Sequence, residues 1–217
     1  MILQHWKQAA VTLQGVEHIS KEIPCQDKIG YYFDSNIRVI ALADGAGSRK
    51  KAEYGAKAAV SSTCKYLGKE FYNLYMMCEE TGKTVEKQKS DTENAKLLII
   101  SNAIKSITDI VEENCVIEDY ASTLLFFACD GNKYICGHIG DGVIGVLDKK
   151  NELNLTVISE TENGGAPNIT FFITDNNAIE HFRLSCGDMS DVQGVLLMSD
   201  GPEEVLYETN TKFNPNA

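Results

Sequence analysis

An apolar strand that stops at Asp-Gly recurs along this chain, at Asp44-Gly45, Asp141-Gly142 and Asp200-Gly201. Short apolar runs bounded by glycine turns fit strands buried in a sheet rather than long amphipathic helices. In Val39-Ile40-Ala41-Leu42-Ala43-Asp44-Gly45-Ala46-Gly47-Ser48 the strand delivers a carboxylate to a sharp turn. A charged side chain held at a strand end beside open backbone is well placed to bind a metal or a phosphate.

The rest of the chain supplies partners for these strands. Lys7–Gln14 (KQAAVTLQ) reads as a first strand and Lys28–Phe33 as a second, with Asp34-Ser35-Asn36 turning into the strand that ends at Asp44. Asp27 precedes its strand and Asp44 follows the next, so antiparallel pairing would bring both carboxylates to one end of a sheet. From Lys50, apolar residues from Tyr54 to Phe71 recur at helical spacing, with alanines that permit close packing. Glu79–Asn94 contains almost nothing apolar and reads as a loop or frayed helix end, and Ala95–Val111 resumes a helical stripe. Ser122–Cys129 and Lys133–His138 form a hairpin across Asp130-Gly131, whose dipeptide is read as an ordinary turn. Val143–Leu147, Leu153–Ser159, Ile169–Thr174, Glu180–Leu184 and Gly194–Met198 follow as strands, and Pro202 opens a short helix through Leu206. Strands, two helices, then many strands indicate an α+β domain: two packed antiparallel β-sheets flanked by helices, over residues 1–217 as one unit.

A net charge of −11 lacks the basic footprint of a nucleic-acid binder. No run is long and apolar enough for a membrane span, and the N-terminus does not read as a signal peptide, so a cytoplasmic location is expected. Seven widely spaced cysteines, with no Cys-x-x-Cys pair, read as reduced thiols.

Asp27, Asp44, Asp141 and Asp200 lie at strand ends without a matching cluster of His or Cys, which makes an all-oxygen donor set. Hard oxygen donors suit Mg²⁺ or Mn²⁺ better than Zn²⁺. Two such ions a few Å apart can activate a water and clamp a phosphoryl oxygen, so the chemistry suggested is hydrolysis of a phosphate ester.

Taken in order, Cys25-Gln26-Asp27, Ala43-Asp44-Gly45-Ala46-Gly47-Ser48 with Gly55-Ala56, Ala121-Ser122-Thr123, Gly140-Asp141-Gly142 and Met198-Ser199-Asp200-Gly201 resemble the type-2C-like, metal-dependent serine/threonine protein phosphatases, in their bacterial form. The likeness runs from about Val11 to about Leu206. It implies a β-sandwich flanked by helix pairs, with the site at one end. It also implies that Asp44 bridges two Mg²⁺ or Mn²⁺ ions, that the Gly45 carbonyl binds one and Asp200 the other, and that Asp27 sits beside them. Asp141 matches the Asp that in some members helps hold a third, looser ion, and Ser122 and Thr123 match a motif with a structural role. The implied substrate is a phosphoprotein carrying phosphoserine or phosphothreonine.

Three departures qualify the resemblance. Gln26 stands where many members carry an acid, and Ala46 where many eukaryotic members have a His proposed as general acid. The family's last metal ligand, an Asp beyond the helix after Ser-Asp-Gly, has no counterpart before Ala217, so either the C-terminal segment is missing from this sequence or metal binding is weakened. His18 lies near where the family often places a phosphate-binding Arg, and Arg49 offers a forked donor past the glycine turn. A surface role is the alternative for both, and His5, His138 and His181 rank below them as site residues. The rivals to a phosphatase are a phosphatase-fold regulatory module without catalysis and a metal hydrolase acting on a small phosphorylated molecule.

Overall fold

The computed structural model describes residues 6–34, 36–149, 155–162, 170–201, 207–208 and 212–213. β3 (Leu124–Cys129) shows why two layers form. All six of its residues are buried, with Leu124, Phe126 and Ala128 in a core facing helices and Leu125, Phe127 and Cys129 in a second core. A continuous apolar run of this kind is stable only when both faces of its sheet are covered.

The first sheet is antiparallel in the order β1-β2-β3-β4-β7, from β1 (Lys28–Phe33), β2 (Arg38–Ala43), β3, β4 (Lys133–Ile139) and β7 (Arg183–Asp188). One face carries α2 (Ala52–Cys78), against which α3 (Val85–Thr108) packs. Small residues let α2 lie close: a Cβ on Gly55 would fall 1.8 Å from the Tyr120 carbonyl oxygen. The other face meets the second sheet, in the order β8-β5-β6-β10-β9. Its strands are β5 (Val143–Asp148), β6 (Leu155–Ser159), β8 (Val192–Met198), β9 (Tyr207–Glu208) and β10 (Lys212–Phe213). Between the sheets Leu125, Phe127, Ile144, Val146 and Met189 are buried together. All seven cysteines are free thiols, and no helix among the described residues is long and apolar enough to cross a membrane.

The sandwich matches the expected α+β architecture, with four local corrections. Lys7–Gln14 has the alternation of a strand but joins no ladder among the described residues; Val11 and Leu13 are 76% and 80% exposed. Alternation specifies faces, not a pairing partner. The segment instead borders a cleft of about 1250 Å³ between β2 and the edge strand β8, a cleft that reaches Asp27 and Ser199 at one end. The polar stretch Glu79–Asn94 is helical from Val85 because its polar groups find partners. Thr84 caps the helix by accepting from the Lys87 amide, and Asp91 receives Lys87 at 2.6 Å and Lys83 at 3.1 Å. Residues 170–172 are irregular and 173–174 form a turn rather than a strand, and Ile169 lies outside the described residues. Glu180–Leu184 divides into α4 (Ala178–His181) and the start of β7, whose pairing with β4 fixes its position. The helix expected at Pro202–Leu206 lies outside the described residues, and α1 (Val16–Ser20) adds a short helix before β1.

Candidate metal centre

Register brings the four aspartates to one end of the sandwich in two pairs. Lys28 pairs with Ala43 across β1 and β2, so Asp27 and Asp44 continue the ladder side by side. Val143 pairs with Met198 across β5 and β8, which sets Asp141, two residues before β5, against Asp200, two residues after β8. The first pair leaves one sheet and the second leaves the other. Asp44 lies close enough to Asp27, Asp200 and Asp141 for the charges of all three to act on it.

The Asp44 turn is held by groups other than its own carboxylate. The Asp44 amide donates to Thr123 Oγ1 (2.9 Å), the Thr123 amide to the Asp44 carbonyl (2.8 Å), and the Ala46 amide to the Ala121 carbonyl (3.0 Å). Gly45 bridges to Ser122, and a Cβ on it would fall 2.8 Å from the Ala52 carbonyl carbon at the start of α2. Ala121, Ser122 and Thr123 are buried beneath the turn and brace it.

Crowding of like charges shows in the acidities. Burial, reinforced by the charges of Asp27, Asp200 and Asp141, pushes the Asp44 carboxyl up to about 8. Burial also raises Asp27, against the hydrogen bond from Asp44 and the charge of Lys28. Asp200 is exposed as a residue, but its carboxyl is crowded, and that loss of hydration followed by the charge of Asp141 raises it too. The donor set, concentrated anionic oxygen in a partly buried setting, fits a hard divalent cation in kind. Among the described residues no three His, Cys, Asp or Glu side chains converge on a single point as a finished cage. Mutual repulsion opposes such convergence.

The other candidates fall at different distances from this centre. His18, in α1, is near enough to Asp27 for its charge to favour the carboxylate. Arg49 is exposed on the turn after Ala46. Gln26 is buried, and its Oε1 has no hydrogen-bond partner among the described residues. His138 is also buried, and His181 bonds Glu162 at 2.9 Å. Sequence reasoning missed Thr170, whose hydroxyl donates to Asp141 Oδ2 at 2.5 Å, and Arg183, which holds the Gly140 carbonyl at 3.3 Å. The signal for Arg183 was faint: a single arginine within the expected strand Glu180–Leu184, in a chain with few arginines.

Known proteins share this fold. Serine/threonine-protein phosphatase 3 of Escherichia coli (strain K12) is 24% identical over 183 residues, which cover 82% of this chain and 66% of that protein. The chain therefore spans just under two thirds of the length of this curated relative. The serine/threonine phosphatase Stp1 of Staphylococcus aureus superposes with a TM-score of 0.57 at 14% identity, over 86% of this chain and 74% of that one. The S. agalactiae serine/threonine phosphatase gives 0.54 at 20% identity, over 84% and 76%. At these identities the structural likeness shows the fold. The family described as protein phosphatase 2C matches residues 14–216, which takes in both sheets and all four aspartates, and this chain belongs to that family.

Proposed function

We propose that residues 1–217 form one phosphatase domain that acts in the cytoplasm and hydrolyses phosphoserine or phosphothreonine in proteins, with Mg²⁺ or Mn²⁺ as cofactor. The observation that carries this reading is the delivery of Asp27, Asp44, Asp141 and Asp200 to one end of the sandwich by two registered strand pairs. Asp44, whose pKa is raised most strongly, would bridge two cations; the Gly45 carbonyl and Asp200 would each hold one, with Asp27 beside them. Asp141 would help hold a third. Bound there, the cations supply an activated water and neutralise phosphoryl charge.

The chain's own residues do the rest. Binding of a cation requires Asp44 to release the proton that its neighbours favour, so affinity rises with pH through about 8. Thr123 and Ala121 fix the turn, so the carboxylate does not have to hold its own backbone. His18 and Arg49 would meet an approaching phosphate, a role supported by the exposure of Arg49 and by the nearness of His18 to Asp27. Ala46 has no proton to give, so protonation of the leaving group would fall to a water at the cations or to another group.

Hydrolysis of p-nitrophenyl phosphate and phosphothreonine peptides with Mn²⁺, set beside calorimetric Mn²⁺ titration, tests the reading. Turnover and binding that both vanish in Asp44→Asn support it; absence of either in the native chain sinks it. The unpartnered buried Gln26 Oε1, a neutral group where an acid is usual, favours one second reading: a regulatory module that has lost catalysis. That reading expects no turnover and little or no Mn²⁺ binding. Release of phosphate from nucleotides but not from peptides would instead indicate a small-molecule hydrolase.

A further inference from the structure

Asp141 differs from the other three aspartates in how its backbone is held. Asp27 and Asp44 extend a paired ladder, and Asp200 leaves a strand paired through Met198. Asp141 lies where the chain leaves the first sheet after Ile139 and enters the second at Val143. At such a crossing the strand ladders stop on either side, so other groups must fix the backbone. Gly140 supplies the bend with φ +116°, a conformation that side chains disfavour.

One guanidinium gathers the surroundings of that bend. Arg183 opens β7 opposite His138 in the β4–β7 ladder. Its Nη1 donates to the Glu160 carbonyl just past β6, and its Nη2 donates to His138 Nδ1 (3.0 Å) and to the Gly140 carbonyl (3.3 Å). The Gly140 carbonyl also accepts from the Glu162 amide at 3.3 Å. His138 is wholly buried; its Nδ1 also faces Ser159 Oγ at 2.9 Å. Burial and the Arg183 charge hold the imidazole well below its usual pKa, so it is neutral and can accept from the guanidinium. A planar fork can reach several acceptors at once, which an ammonium on a single stem cannot do in the same geometry.

We propose that Arg183 is a positioning residue for Asp141: by tying the Gly140 carbonyl to Glu160 and His138, it fixes the direction in which the Asp141 carboxylate leaves the bend. Thr170 donates to the Asp141 carboxylate itself. The proposal rests on the reading of Asp141 as a metal-holding residue, and its test separates the two.

The full chain is compared with Arg183→Met, Arg183→Lys, Asp141→Asn and the double variant Arg183→Met/Asp141→Asn, each checked by thermal melting. Amide hydrogen exchange at residues 140–142, measured without metal, needs no activity. It is expected to quicken about tenfold in Arg183→Met and less in Arg183→Lys. The Mn²⁺ concentration giving half-maximal hydrolysis of p-nitrophenyl phosphate is expected to rise about tenfold in Arg183→Met, with KM for the ester unchanged. The double variant should be no worse than Asp141→Asn, because both changes remove one function. Unaltered exchange at 140–142 overturns the proposal, as does a double variant whose losses multiply. If Arg183→Met does not fold, Arg183→Lys carries the same comparisons. A native chain that neither binds Mn²⁺ nor hydrolyses the ester defeats the phosphatase reading, while the exchange measurement still decides whether Arg183 fixes the bend.

Discussion

The carboxylate of Asp130 accepts from the amides of Asn132 and Lys133, each at 2.8 Å, whereas that of Asp44 faces Asp27, Asp141 and Asp200. Both residues end an apolar strand, and both precede glycine. At Asp130 the carboxylate closes its own turn, as Asp34 does with the amides of Asn36 and Ile37 and Asp188 with Ser190. Hydrogen bonds to those amides, or to the Ser190 hydroxyl and amide, hold Asp34 and Asp188 below the usual carboxylate range. At Asp44, Thr123 and Ala121 secure the backbone, and the acceptor oxygens are left for something else. What separates a turn aspartate from a site aspartate is which group closes the turn.

The largest expected break in this contrast is catalytic. Asp44→Asn should lower Mn²⁺-dependent hydrolysis on the order of 10³-fold, while Asp130→Asn should leave it within about twofold, as read by kcat/KM. Next comes pH. Asp44 titrates near 8 in the folded chain and near 3.8 in an unfolded one. Between these values the folded state keeps a proton that the unfolded state has lost, so stability falls as pH rises. Urea unfolding of the metal-free protein should show a loss on the order of 1–3 kcal/mol from pH 5 to pH 8, after allowance for solvent screening, and Asp44→Asn should flatten it. Asp34 runs the other way: its lowered pKa contributes stability that is present above about pH 4 and lost below.

The glycines sharpen the comparison at a smaller scale. Gly45→Ala drives a Cβ to 2.8 Å from the Ala52 backbone, and should cost about 1–3 kcal/mol together with activity, because the turn moves. Gly131 has φ +92°, so Gly131→Ala should cost about 1 kcal/mol in thermal melting and leave turnover intact. The smallest effect belongs to Asp130→Ala, which removes two turn hydrogen bonds; chemical denaturation should register a loss of about 1 kcal/mol, with unchanged hydrolysis.

The sequence by itself determined the sandwich and the candidate donor set. Runs such as Leu124–Cys129 must be buried on both faces, the stripe along α2 must face a sheet, and four strand-end aspartates define an oxygen donor set. Those are local properties, carried by residue type and spacing. Tertiary structure decided what spacing cannot encode. It left Lys7–Gln14 outside every strand ladder among the described residues, made a helix of the polar start of α3 by pairing Asp91 with two lysines, and placed β7 by its ladder with β4. It also set Asp141 opposite Asp200 and brought Arg183 to the Gly140 carbonyl, 43 positions away in the chain. Contacts of that kind depend on register between strands distant in sequence, and a carboxylate's role follows from which of those strands its turn adjoins.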